Sequence, residues 1–190
     1  MNKILEILKI RKMLIILLII VVVLFILIAF VFGKVTTPNI NKGGVPLGPG
    51  EKWNQIVPGE STKEDVIKQF GEPISSTENS LSYKSSSPAR DNQITIADNH
   101  VDLVRQMITP ADKITTKTLT QKYGISSDLL YGPDSPNGIY LFIYANKGVA
   151  YLGNPNTESV IEVWYYPPTT LEKFRSKYAL EYSPTYNSSF

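Results

Sequence analysis

A run of twenty apolar residues near the N-terminus, from Met13 to Phe32, constrains this chain more than any other feature. The run contains no charge, no glycine and no proline, and a helix of that length spans the ~30 Å hydrocarbon core of a bilayer. A helix at the surface of a soluble domain would show a polar face, which this run lacks. The sequence therefore predicts a single transmembrane helix over residues 13–32.

The charges on either side of the run predict its orientation. Four basic residues and one acidic residue lie in segment 1–12, whereas two lysines follow shortly after the run. Because basic residues stay on the cytoplasmic side, segment 1–12 is predicted to be a cytoplasmic tip. The rest of the chain would then lie outside the cytoplasm, attached to the cytoplasmic membrane. A cleaved signal peptide is the alternative, since Val31 and Gly33 suit a cleavage site, but the run exceeds the ~7–15 apolar residues of a signal-peptide core.

The composition excludes several classes of function. The chain has no cysteine, which excludes disulfides, thiolate metal ligands, cysteine nucleophiles and the lipid-modified cysteine of a bacterial lipoprotein. Four of the nineteen Lys and Arg residues and one of the seventeen Asp and Glu residues belong to the cytoplasmic tip, so the exterior part has fifteen basic and sixteen acidic residues. The exterior part lacks the basic footprint of a nucleic-acid-binding protein, and nucleotide-binding glycine motifs are absent. We therefore expect no nucleic acid partner and no cofactor.

The distribution of residue types divides the exterior part into three segments. Gly, Pro, Asn and Thr dominate residues 33–51, a composition typical of a flexible linker. Residues 183–190 have a similar composition and are predicted to form a tail. Between them, residues 52–182 are regularly patterned and numerous enough for one modest core. They are predicted to form one extracytoplasmic domain.

Two segments of this domain carry the same helix signals. Ser61 and the glutamate three residues later form a capping box before an apolar stripe that ends at Gly71. Thr115 precedes a second stripe, which ends in the same way at Gly124. A third amphipathic helix is predicted over residues 170–180.

Alternating patterns predict six strands between the helices, with Asp98-Asn99 forming a tight hairpin turn. The predicted strands cover residues 81–84, 93–97, 101–108, 139–145, 149–152 and 160–166. Each half of the domain is then a helix followed by an antiparallel meander. The sequence predicts an α+β fold, in which tandem helix-and-meander units form one helix-on-sheet layer domain preceded by the transmembrane helix.

A short motif surrounds the start of the first predicted helix. It reads Ile56-x-Pro58-Gly59-x-Ser61-Thr62-x-x-Asp65-Val66, followed by Phe70-Gly71-x-Pro73. The motif resembles the opening of the BamE (SmpA/OmlA) family of small outer-membrane lipoproteins, and a duplicated unit of this kind resembles the β-lactamase-inhibitor-protein-like fold. The resemblance implies a non-catalytic protein-binding module. The chain departs from the family because the lipobox cysteine is missing and the apolar run replaces it.

The one histidine, His100, lies between Asp98 and Asp102 in sequence. One interpretation is an envelope-polymer hydrolase that uses these three residues. The other is a hairpin, in which His100 and Asp102 share the solvated face of one strand. No G-x-S-x-G motif accompanies them. A metal site at these residues would need a third ligand, and none lies at a spacing typical of metal sites. We therefore predict neither catalytic residues nor metal ligands.

The strands of the second half separate aliphatic from aromatic side chains. Ile139, Leu141 and Ile143 alternate with aromatic residues, so the two sets point to opposite faces. If the aliphatic face packs on the helices, the other face presents large aromatic anchors of the kind that dominate protein interfaces. The predicted binding residues are Tyr140, Phe142, Tyr144, Tyr151, Trp164 and Tyr166. The alternative is that this face is also covered, as in a doubly covered sheet.

The first meander differs, because polar side chains oppose its apolar residues. These polar residues are Ser82, Lys84, Gln93, Thr95 and Arg105. The pattern predicts a solvated outer side for this half of the sheet.

These observations predict a membrane-tethered, non-enzymatic protein-binding module of the cell envelope. Its partner would be another envelope protein, recognised through a face of the sheet. A structural envelope protein that associates with itself is the first alternative, and the hydrolase is the second.

Overall fold

A computed structural model describes residues 50–186 of the chain, which contain eight strands and three α-helices. The strands are β1 (Ser75–Ser76), β2 (Ser80–Tyr83), β3 (Asn92–Ala97), β4 (His100–Met107), β5 (Asp128–Leu130), β6 (Tyr140–Tyr144), β7 (Val149–Asn154) and β8 (Ser159–Tyr165). The helices are α1 (Lys63–Phe70), α2 (Thr116–Tyr123) and α3 (Leu171–Tyr178). All strands belong to one antiparallel sheet with the order β1-β2-β3-β4-β8-β7-β6-β5.

The last strand, β8, pairs with both β4 and β7 and so joins the two halves into one continuous sheet. Val104 of β4 lies opposite Tyr165 of β8, and Arg105 lies opposite Trp164. We call the side of the sheet that carries Val104 and Tyr165 face A, and the side that carries Arg105 and Trp164 face B. Directly paired residues of antiparallel strands share a face, so this pairing aligns the faces of the two halves.

The helices cover the two faces unequally. On face A, α1 covers the first half of the sheet through Val66 and Phe70, and α2 covers the second half through Leu119 and Tyr123. On face B, α3 covers only the second half, where Phe174 packs in the core. The second half is therefore covered on both sides. On face B of the first half, the end of α3 contacts Asp102 of β4, and Leu103 packs against the cluster under α3. Among residues 50–186, no helix covers face B of β2 and β3.

The predicted α+β fold class, with tandem helix-and-meander units building a helix layer on the sheet, is wrong. The architecture is a single eight-stranded antiparallel sheet in which strands predominate. Each α-helix has eight residues, about two turns, and α1 and α3 each bury one side chain, Val66 and Phe174. Such short helices cover patches of the sheet and do not form a layer of their own. The sequence pattern also missed the short edge strands β1 and β5.

The predicted cytoplasmic tip, transmembrane helix and most of the linker lie outside the described residues, as do the last four residues of the tail. Among residues 50–186, none of the helices has the length and hydropathy needed to cross a membrane. The transmembrane segment 13–32 therefore stays a prediction from sequence.

The predicted β3–β4 hairpin turn at Asp98-Asn99 is confirmed. Both residues have positive φ, 49° and 62°, which is the backbone of a type I′ turn. The turn between β6 and β7 ends at Gly148, where φ is 69°. A Cβ at Gly148 would lie 2.1 Å from the carbonyl oxygen of Tyr166, so only glycine fits there.

The N-terminus of α1 begins one residue later than the sequence pattern suggested. Thr62, and not Ser61, is the N-cap, and its hydroxyl accepts a hydrogen bond of 3.2 Å from the amide of Asp65. The carboxylate of Asp65 accepts 2.9 Å from the amide of Thr62 in return, and this hydrogen bond lowers the pKa of Asp65. Because a lowered carboxyl pKa stabilises the fold above the pKa of the unfolded chain, this contribution is lost as the pH falls through the folded-state pKa.

A Thr62→Ala variant is expected to lower the free energy of unfolding by about 1 kcal/mol, because the amide of Asp65 loses its acceptor. Urea unfolding of the full chain in detergent micelles, followed by circular dichroism, measures the change. A Thr62→Ser variant keeps the oxygen and should differ from the parent by less than ~0.5 kcal/mol. Equal losses in the two variants would show that Thr62 does not act as the cap.

Candidate functional site

Four of the six predicted binding residues lie together on face A. Phe142 is paired with Tyr151, and their rings stack with centroids 4.8 Å apart. The four residues are Tyr140, Phe142, Tyr144 and Tyr151. Helix α2 packs against this group through Leu119 and Tyr123. Burial raises the pKa of Tyr151 to about 12.

The other two predicted binding residues, Trp164 and Tyr166, lie on face B under α3. Trp164 is paired with Ala150, and Ala150 is paired with Ile143, so Trp164 shares its face with aliphatic side chains of β6. Trp164 and Tyr166 are fully buried, and their rings lie 6.2 Å and 4.7 Å from the ring of Phe174. The predicted single aromatic binding face is therefore wrong. The alternative, a half-sheet covered on both sides, describes these residues.

The three residues considered for a hydrolase do not assemble an acid–base pair. The Nδ1 atom of His100 lies 2.8 Å from the carbonyl oxygen of Asp98. The carboxylate of Asp102 accepts hydrogen bonds from Lys177 and Tyr178, which tie it to the end of α3. Both bonds end on Oδ1 of Asp102, and His100 makes its ring hydrogen bond to the backbone instead. Within the part of the chain that the structure describes, no three His, Asp or Glu side chains are placed to hold a metal ion.

A buried glutamate, Glu162, lies on face B in the middle of the sheet. It is 0% exposed, and its Oε1 atom accepts a hydrogen bond of 2.8 Å from the indole nitrogen of Trp164. Arg105 donates to both carboxylate oxygens, from Nε to Oε1 and from Nη2 to Oε2 at 3.2 Å. This two-point pair is the geometry in which arginine binds a carboxylate most strongly. Glu162 needs such partners, because a buried carboxylate without them is strongly destabilising.

Arg105 lies between this buried carboxylate and solvent. Its guanidinium carbon is 5.0 Å from the centroid of the Trp164 ring, and 36% of its side chain is exposed. Burial disfavours the charged form of Arg105, but the hydrogen bonds and the charge of Glu162 outweigh that effect and raise its pKa. The guanidinium is therefore charged and held in one orientation.

Arg90, in the segment between β2 and β3, brings a second guanidinium to the same carboxylate. Its Nη1 atom lies 3.9 Å from Oε2 of Glu162, beyond hydrogen-bond distance, and 57% of its side chain is exposed. Two guanidinium groups thus face one carboxylate. We call the cluster of Arg90, Arg105, Glu162 and Trp164 the Arg105 site, and the charge of Glu181, which also raises the pKa of Arg105, acts on it.

The Arg105 site borders the uncovered part of face B. Arg105 is paired with Gln93, and Gln93 is paired with Ser82, so the three side chains form a row across β2–β4. We call this surface the open face. It consists of Ser82, Gln93, Thr95 and Arg105, and Leu103 at its border packs against the cluster under α3. Of the five residues predicted on the solvated outer side, Lys84 and Thr95 are exposed and Ser82, Gln93 and Arg105 are half-buried, so this side is in partial contact with solvent.

Sequence reasoning missed Glu162 as a site residue, although one signal was available. The β8 sequence places Glu162 among Val160, Ile161, Val163 and Trp164, so it is an isolated acidic residue in an apolar strand. Such a residue is buried only when a cation pairs with it. The sequence does not say which of the basic residues provides that cation, because Arg90 and Arg105 approach Glu162 only after β8 has joined β4.

Comparisons with known proteins add little to this geometry. No model of a protein family matches the chain, so the resemblance to the BamE family stays a prediction. No curated protein matches the chain either. The crystal structure of a DUF4309 family protein (YjgB) from Bacillus subtilis aligns with 63% of this chain and 88% of its own chain, at 15% identity and a TM-score of 0.45. A similarity of this size supports no inference about fold or function.

Proposed function

We propose that this chain is a membrane-tethered, non-enzymatic binding module of the cell envelope, which recognises a partner protein through the open face. The apolar run Met13–Phe32 is the proposed tether to the cytoplasmic membrane, and the linker 33–51 lets the domain search the space outside it. With an r.m.s. span of about 5–6 Å × √n, the linker gives a reach of roughly 25 Å.

The observation that carries this proposal is the arrangement of the Arg105 site at the edge of the open face. A fully buried carboxylate holds Arg105 against an aromatic ring and presents part of it to solvent. Burying a charge beside a solvated surface is an unfavourable way to stabilise a sheet, because well-packed apolar residues do so at least as well. The arrangement does fix the position of a charged group at the edge of the open face.

The burial of the aromatic residues supports the same choice of surface. Trp164, Tyr166, Tyr151 and Tyr144 are all buried, so they are not available to a partner without unfolding. The open face, in contrast, offers hydroxyl, amide and guanidinium groups on neighbouring strands. Rigid strands position such groups better than loops do.

Photo-crosslinking in intact cell envelopes tests the proposed surface. A photoreactive amino acid at Thr95, on the open face, is expected to give one discrete heterologous adduct. The same amino acid at Lys117, an exposed residue of α2 over face A, is expected to give none. Equal adduct patterns at the two positions, or no adduct at Thr95, would contradict recognition through the open face.

The same experiment separates the proposed function from a self-associating structural protein. An adduct with the mass of two copies of this chain, formed from Thr95, would support self-association. Sedimentation of the full chain in detergent micelles then provides an independent measurement, and we expect a monomer at micromolar concentrations.

A further inference from the structure

We infer that the Arg105 site binds a carboxylate side chain of an acidic peptide segment in the partner protein. This inference rests on the proposed function and specifies the chemistry of the partner at that site. Arg90 and Arg105 approach one buried carboxylate from the exposed side, and Arg90 lies beyond hydrogen-bond distance of it. The exposed Glu181 also acts on Arg105, whereas the guanidinium of Arg90 keeps its donors for an incoming carboxylate.

The two arginines have different roles in this site. Arg105 uses Nε and Nη2 to bind Glu162, so its position is fixed before any ligand arrives. Arg90 lies 3.9 Å from Glu162 and is 57% exposed, so its guanidinium is able to turn toward a second carboxylate. A planar guanidinium binds a carboxylate through two parallel hydrogen bonds, and Arg90 is the group placed to do so.

The surroundings of the site favour a peptide segment as the source of the carboxylate. The open face next to Arg105 carries the side chains of Ser82, Gln93 and Thr95, which offer donors and acceptors to an extended backbone. Helix α3 borders this surface where Tyr178 and Lys177 bind Asp102 on β4. A strand-like peptide that crosses the open face beside α3 would bring its acidic side chain to Arg90.

Isothermal titration with a synthetic hexaglutamate peptide tests the inference. The full chain is reconstituted in nanodiscs of zwitterionic lipid at low ionic strength, and matched hexaglutamine is the neutral control peptide. Hexaglutamate is expected to bind and hexaglutamine is not. An Arg90→Gln variant is expected to bind hexaglutamate about tenfold more weakly, because one charged two-point hydrogen bond is lost.

A Lys68→Gln variant is the charge-matched control, because Lys68 is exposed on α1 over face A. It should bind hexaglutamate within twofold of the parent. Circular dichroism of Arg90→Gln, a change at an exposed residue, checks that its fold is retained. If both variants bound hexaglutamate equally weakly, the loss of affinity would come from the lower net charge of the protein and not from Arg90, which would overturn the inference.

A third titration uses a short polyphosphate with the same charge as hexaglutamate. If it binds more tightly than hexaglutamate and its binding also depends on Arg90, the site is a phosphate site and the inference is overturned. Failure of the peptide to bind overturns the inference as well. Neither outcome affects the crosslinking test at Thr95, which reports on the surface and not on the chemistry of its partner.

Discussion

A Trp164→Ala variant is expected to unfold with a free energy about 3–5 kcal/mol lower than that of the parent. The ring of Trp164 is 2% exposed and packs 6.2 Å from Phe174 and 6.1 Å from Tyr182. Truncation leaves a cavity under α3 and removes the indole donor of Glu162. Denaturant unfolding of the full chain in micelles, followed by far-ultraviolet circular dichroism, measures this loss.

A Tyr140→Ala variant is the matched control, because Tyr140 belonged to the same predicted binding group but is half-buried at the start of β6. Its main aromatic partner is Tyr131, at 5.5 Å. We expect a loss of about 1 kcal/mol. If both variants lost little free energy of unfolding, Trp164 would be a surface residue, as the predicted aromatic binding face requires.

A Glu162→Leu variant is expected to lower the free energy of unfolding by about 2–4 kcal/mol. The substitution removes the partner of Arg105 and the acceptor of the Trp164 indole. The expected loss is below the ~3–5 kcal/mol of a fully buried pair, because 36% of the Arg105 side chain remains in solvent.

A double variant, Glu162→Leu with Arg105→Met, completes the thermodynamic cycle. Replacing both members of a buried pair by apolar groups is often close to neutral, so the double variant should recover most of the stability lost by Glu162→Leu alone. The same denaturant measurement on all four proteins gives the coupling energy between the two residues. Losses that simply add would show that Glu162 and Arg105 do not interact as described.

The sequence predicted turns and helix ends well, because these features depend on the conformational preferences of a few neighbouring residues. Asp98-Asn99 tolerates the positive φ of a type I′ turn, and the turn formed there. Gly71 and Gly124 end α1 and α2 with φ of 78° and 83°, as their positions after the apolar stripes predicted. These features depend on a few neighbouring residues and not on the rest of the fold.

The distribution of side chains between the faces depended on long-range register and was not predictable in the same way. Trp164 in β8 and Tyr166 just after it lie on one side of the sheet, as their shared place in the predicted binding group required. Both β6 and β8 pair with β7, so the register of β7 decides which side chains of β6 share a face with Trp164 and Tyr166. This register shifts between Leu152 and Gly153. A shift of one residue exchanges the faces of a strand. Because both faces of this half are apolar, hydrophobicity did not show which assignment was correct.

Accessibility of single cysteines distinguishes the open face on β2 and β3 from the covered face B of β6–β8. The chain has no cysteine, so Thr95→Cys and Ala150→Cys variants each carry one thiol, both on face B. In the solubilised full chain, we expect Thr95→Cys to react with a maleimide as fast as a free thiol. Ala150→Cys, at a position that is 0% exposed under α3, should react at least about a hundredfold more slowly, because the local structure must first open. Equal rates at the two positions would contradict the account.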